Sequence, residues 1–107
     1  MKELIDRYLR AADTYGKATV EGNHKAANAA HETLSFIWEQ LRALGPEAIR
    51  DLLPLLVDPH EWVRCWAAAH LLQFSPADAE PVLETLAAAK GLAAMDARII
   101  LANWRRS

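Results

Sequence analysis

Apolar positions recur at spacings of three and four along nearly the whole chain, and no stretch shows the period of two that a strand requires. Leu4, Tyr8, Ala11, Tyr15 and Ala18 form the first such row, widened by Ile5, Leu9 and Ala12. They predict a helix over residues 3–20, weakened somewhat by Gly16. Gly22 suits a helix end and Asn23 the N-cap of the next helix. The row Ala27, Ala30, Leu34, Ile37, Leu41 and Leu44 predicts that helix over residues 24–44. Its opposite face, His24, Asn28, His31, Ser35, Glu39 and Arg42, is polar throughout. Two such helices joined by a tight turn make an antiparallel hairpin. Phe36 and Trp38 flank the main stripe and are expected to bury against a further layer.

Gly45 ends the second helix, and Pro46 fits the first turn of a third over residues 46–57. That helix carries Ile49, Leu52, Leu53, Leu55, Leu56 and Val57 as its apolar set. Pro54 removes a backbone donor from its interior and should bend it. Asp58-Pro59 stops it. A fourth helix follows over residues 60–74. Between Trp62 and Phe74 its only formally charged side chain is Arg64, the pattern of a central, buried helix. Ser75-Pro76-Ala77-Asp78 signals the next start, with Ser75 or Asp78 as the N-cap and Asp78 preferred because Pro81 then falls in the first turn. The fifth helix ends near Lys90-Gly91. The sixth, over residues 93–105, buries Ala97, Ile100, Leu101 and Trp104.

Helices three and four repeat in helices five and six at an offset of 34 residues. Ile49 falls on Leu83, Leu52 on Leu86, Val63-Arg64 on Ala97-Arg98, and Ala67-Ala68 on Leu101-Ala102. One helical hairpin written twice is the mark of a stacked-hairpin solenoid. The expected fold is therefore all-α, with about six helices in three stacked antiparallel hairpins. It is a single domain, divided into residues 1–44, 46–74 and 75–107.

The run Leu55-Leu56-Val57-Asp58-Pro59, with Val63-Arg64 and Ala67-Ala68, resembles a HEAT-type repeat. That resemblance implies a polar ladder between repeats, with Asp58 and Arg64 as one rung and Asp96 and Arg98 as a partial second. The second copy departs from the pattern, since Gly91-Leu92 stands where Asp-Pro would be. The whole chain is also similar to a bacterial family of short HEAT-like proteins known only as a domain of unknown function. The shared features are the long N-terminal hairpin, Gly45-Pro46-Glu47-Ala48, and Asp96-Ala97-Arg98 in the last helix. Small, mildly acidic bacterial domains of this kind often serve as immunity or inhibitor proteins that neutralise a toxin, and the resemblance implies that role here.

Composition adds limits. A chain of 107 residues with 52% hydrophobic and 24% charged residues is of ordinary globular make-up. A net charge of -2 offers no strong field for nucleic acid. The one cysteine, Cys65, has no partner for an internal disulfide. No apolar run approaches the roughly 20 residues of a membrane span, and the N-terminus is not signal-like, so a cytoplasmic protein is expected.

The candidate chemistry is sparse. His24 and His31 are too far apart on their helix to share a metal ion, and Glu21 with His24 lacks the second Glu-x-x-His of a di-iron bundle. Cys65 has no histidine at a catalytic spacing and reads as a small buried hydrophobe. Arg64 is placed to bridge Asp58, Asp96 or free helix-end carbonyls, because a buried arginine without partners would be very costly. Of the four tryptophans, Trp66 reads as core, Trp38 as packing between layers and Trp104 as a cap on the last hairpin. Trp62, beside His60 and Glu61 at a helix start, is the candidate for binding, since tryptophan is enriched in interface hot spots. The sequence thus points to a non-enzymatic protein-binding module, using His60, Glu61 and Trp62, with no cofactor, metal or small-molecule substrate. The alternatives are a nucleic-acid-binding domain, which would need a basic concave face, and a structural homodimer seamed by the first or last helix.

Overall fold

The computed structural model describes residues 2–106 and is all-α, with no strand among the described residues. Its elements are α1 (Lys2–Glu21), α2 (His24–Leu44), α3 (Pro46–Arg50), a 3-10 segment (Leu53–Val57), α4 (Glu61–Leu71), α5 (Pro76–Ala87) and α6 (Leu92–Arg106). Consecutive helices pack on one another, compatible with stacked helical hairpins. Among the described residues, no helix is long and apolar enough to cross a membrane. The chain divides into two compact units, Met1–Leu52 and Leu53–Ser107.

In the first unit, α1 and α2 form the long hairpin. Gly22 takes a left-handed φ of 73°, open to glycine without strain. The Asn23 N–H reaches back to the Ala18 carbonyl at 2.8 Å, closing α1. The Asn23 side chain then accepts from the Ala26 N–H at 3.1 Å, opening α2. Tyr8 and Ala12 from α1 and Leu34, Ile37 and Leu41 from α2 are wholly buried. Gly45 serves two helices at once. Its N–H satisfies the carbonyls of Leu41 and Arg42, and its own carbonyl accepts from Ala48 and Ile49. α3 packs on α2 through this turn, burying Ala48 and Ile49. Trp38 is buried as expected, but Phe36 is 56% exposed. The reason is angular: two helical residues lie about 200° apart, so Phe36 points away from the Leu34 stripe. Leu44, in the last turn of α2, is likewise exposed.

The second unit begins where the helix expected over residues 46–57 breaks. Pro54 has no N–H to pair with the Arg50 carbonyl, and its ring would clash there. The α-helix accordingly ends at Arg50, and the chain resumes as the tighter 3-10 segment. Rewinding turns Val57 outward, to 83% exposure, against the expectation that it joins the core. α4 packs on the 3-10 segment and on both α5 and α6. It buries Val63, Cys65, Ala67, Ala68 and Leu71, while Trp62, Trp66 and His70 on its other side are half-buried. It is therefore not enclosed on every side, and Trp66 is not full core.

Ser75, not Asp78, is the N-cap of α5. Pro76 at the first helical position loses no bond, since that N–H would be unpaired anyway. The Ser75 carbonyl accepts from Asp78 and Ala79, and its hydroxyl donates to the Asp78 carboxylate at 2.6 Å. Pro81 therefore lies inside the helix, on its exposed side. At the other end of the pair, Arg105 bridges Glu84 at 2.9 Å and Glu80 at 3.5 Å, and the Trp104 indole N–H donates to Glu80 at 3.4 Å.

Candidate interaction surface

The turn into α4 is built by one carboxylate. Asp58 Oδ1 accepts the His60 backbone N–H at 2.9 Å and lies 3.0 Å from His60 Nδ1. Aspartate bonding to backbone two residues on is a turn device of its own, and here it spans Pro59. His60 is thereby set as the N-cap residue of α4, with its ring exposed. Glu61 is exposed and Trp62 half-buried. Trp62, Trp66 and His70 follow at intervals of four, so they share a face. The Trp66 and His70 rings lie 5.6 Å apart and tilted by 43°.

The two arginines expected in a ladder both grip backbone carbonyls. Half-buried Arg64 donates from Nη1 to the Asp58 carbonyl at 2.7 Å, while the Asp58 carboxylate serves His60. Arg98 donates from Nε to the Ala87 carbonyl at 2.9 Å and from Nη2 to Ala89 at 3.0 Å. Each guanidinium, early in the second member of a pair, thus satisfies the free carbonyls that end the first. The structure brings Asp58 and Arg64 together through main chain. It does not bring Asp96 to either arginine. Asp96 and Arg98 are two residues apart on one helix and point to different sides. No hydrogen bond or ion pair engages the Asp96 carboxylate among the described residues. Burial lifts its pKa above the ordinary carboxylate value.

Cys65 sits in the core of the unit, and its thiol is pushed up to about 12, first by burial and then by the charges of Asp96 and Glu61. A thiol held protonated at neutral pH is a poor nucleophile. His24 and His31 are both exposed on α2. Among the described residues, no group of three or more His, Cys, Asp and Glu side chains is placed to hold a metal ion.

Sequence reasoning missed a cleft beside Arg64. Leu56, Val57, Arg64, Pro81, Val82, Thr85 and Leu86 line a space of about 340 Å³ between the 3-10 segment and α5. The available signal was Pro54 within a leucine-rich run, since rewinding there is what exposes Val57. A second depression, in the first unit, holds about 400 Å³ over a floor of Ala11, Ala26, Ala29 and Ala30, with Arg7 and Arg10 on its walls. Alanine floors it because short side chains leave the space between α1 and α2 unfilled.

The chain matches no family model, no curated protein and no solved structure.

Proposed function

We propose that the chain is a non-enzymatic protein-binding module, with its contact surface at the leading edge of α4 and the cleft beside it. The observation that carries this reading is the cleft: an aliphatic lining with Val57 left 83% exposed and a half-buried guanidinium in its wall. Arginine and tryptophan dominate interface hot spots, in pockets that exclude water. Arg64 spends Nη1 on the Asp58 carbonyl, which holds the fork in place for an incoming acceptor. A partner segment presenting a carboxylate or carbonyl among aliphatic side chains is the complement. His60, Glu61 and Trp62 stand at the start of the same helix.

The pairing of the 3-10 segment with α4 and of α5 with α6 supports a HEAT-like repeat in the second unit. The narrower role of an immunity or inhibitor protein rests on the resemblance of the sequence. Protein binding is preferred to nucleic-acid binding because the first unit's depression offers only two arginines, Arg7 and Arg10. Specific nucleic-acid sites neutralise several phosphates.

Affinity capture from the source organism tests the reading when repeated with variants. A partner held by the wild-type chain should be lost with Val57→Asp and weakened with Trp62→Ala, each variant keeping its helical spectrum. A partner retained equally by both variants would show that this surface is not the one used.

A further inference from the structure

α6 is apolar on two sides. One side buries Ala93, Ala94, Ala97 and Leu101 in the second unit. On the other, Leu92, Met95 and Ile99 are 42%, 51% and 58% exposed. They follow at three and four, so they form one contiguous stripe and not scattered surface residues. The other large exposed apolar side chains make no run of three: Val20 lies on α1, Phe36 and Leu44 are eight residues apart on α2, and Val57 lies on the 3-10 segment.

The stripe is also electrically two-ended. Asp96 borders its first half, half-buried, its carboxylate without a hydrogen bond or ion pair among the described residues. At the other end, Arg106 falls on the same helical face, exposed, its guanidinium donating locally to Asn103 at 2.6 Å. A face with an apolar middle, an acidic end and a basic end is complementary to itself when turned end for end.

We propose that this face of α6 pairs with the same face of a second copy, antiparallel about a two-fold axis. Ile99 sits at the centre against its own copy, Met95 and Leu92 pack toward the partner's final turn, and each Asp96 receives the partner subunit's Arg106. Such an isologous contact closes on itself and forms no fibre. Three apolar side chains a side fall short of the roughly 800 Å² per partner of a standard stable interface, so the dimer is a weak one. This inference is independent of the α4 cleft, which α6 does not line.

Sedimentation velocity over a protein range from about 10 μM to about 1 mM, where weak interfaces dissociate, provides the test. The wild-type mass should rise from one chain toward two. Ile99→Asp should stay monomeric throughout, with its helical spectrum kept. Asp96→Lys and Arg106→Glu should each weaken association by roughly a hundredfold, about tenfold for each of the two ion pairs that the two-fold axis relates. An equimolar mixture of those two variants should recover it, because each then supplies what the other lacks. A wild-type chain that stays monomeric overturns the proposal, even if another protein is found to cover this face. So does a dimer that the mixture fails to restore.

Discussion

The two units solve the same problem with different materials. The first is two long helices whose large side chains, Tyr8, Leu34, Ile37 and Leu41, are wholly buried against each other. Its turns are closed by backbone and one asparagine, at Gly22-Asn23 and Gly45. The second is made of shorter pieces interrupted by proline, with alanine filling much of α4 and α6. Short helices leave a larger share of their carbonyls unpaired, because each end frees about four. Arg64 and Arg98 meet that need directly. The lesson is that a guanidinium in a helical repeat can be architectural toward main chain while leaving part of its fork to the surface.

The strongest way to break the contrast is Val63→Asp. Val63 is 2% exposed in the alanine-rich core of the second unit. A buried, unpaired carboxylate there should cost about 4 kcal/mol or more, read as loss of the cooperative thermal transition. Next is Arg64→Ala, which should cost about 1–3 kcal/mol by chemical denaturation, because the Asp58 carbonyl loses its donor. No loss would mean water replaces the guanidinium without penalty, and the second unit would need no side-chain caps. Asn23→Ala tests the first unit's counterpart and should cost about 1 kcal/mol, the usual worth of an N-cap.

The smallest expected effect runs the other way. Asp96→Asn should slightly stabilise the fold at pH 7, measured at low protein concentration. The folded state holds the Asp96 proton more tightly than the unfolded chain does, so its carboxylate form costs stability. That cost is full above the raised folded pKa and fades as pH falls toward the ordinary value of 3.8. Melting curves of the two proteins should therefore converge in acid. A variant that is less stable at pH 7 would show that Asp96 has a structural partner.

How much of this could be read beforehand divides along the same line. The bounds of α2 follow from Gly22-Asn23 and Gly45, because glycine and a capping side chain punctuate a strongly periodic stripe. The all-α class follows from that periodicity too. The break at Pro54 was expected as a bend, but periodicity cannot tell a bent helix from one that restarts as 3-10. The sequence permits two starts for α5, at Ser75 or Asp78, and favours the wrong one; the bond from the Ser75 hydroxyl to Asp78 uses both residues at once. His60, Glu61 and Trp62 were legible as a helix start. The cleft was not, since Val57, Pro81 and Val82 meet only in three dimensions. For Arg64 the sequence offers Asp58, Asp96 and free helix-end carbonyls alike; which of them it takes, and that Arg98 also takes carbonyls, is visible only once the element ends are placed.

Hydrogen–deuterium exchange of the chain, alone and saturated with its captured partner, tests the binding surface most directly. The cleft reading predicts added protection over residues 56–64 and 82–86, with residues 2–52 unchanged. Protection confined to residues 2–52 would contradict it.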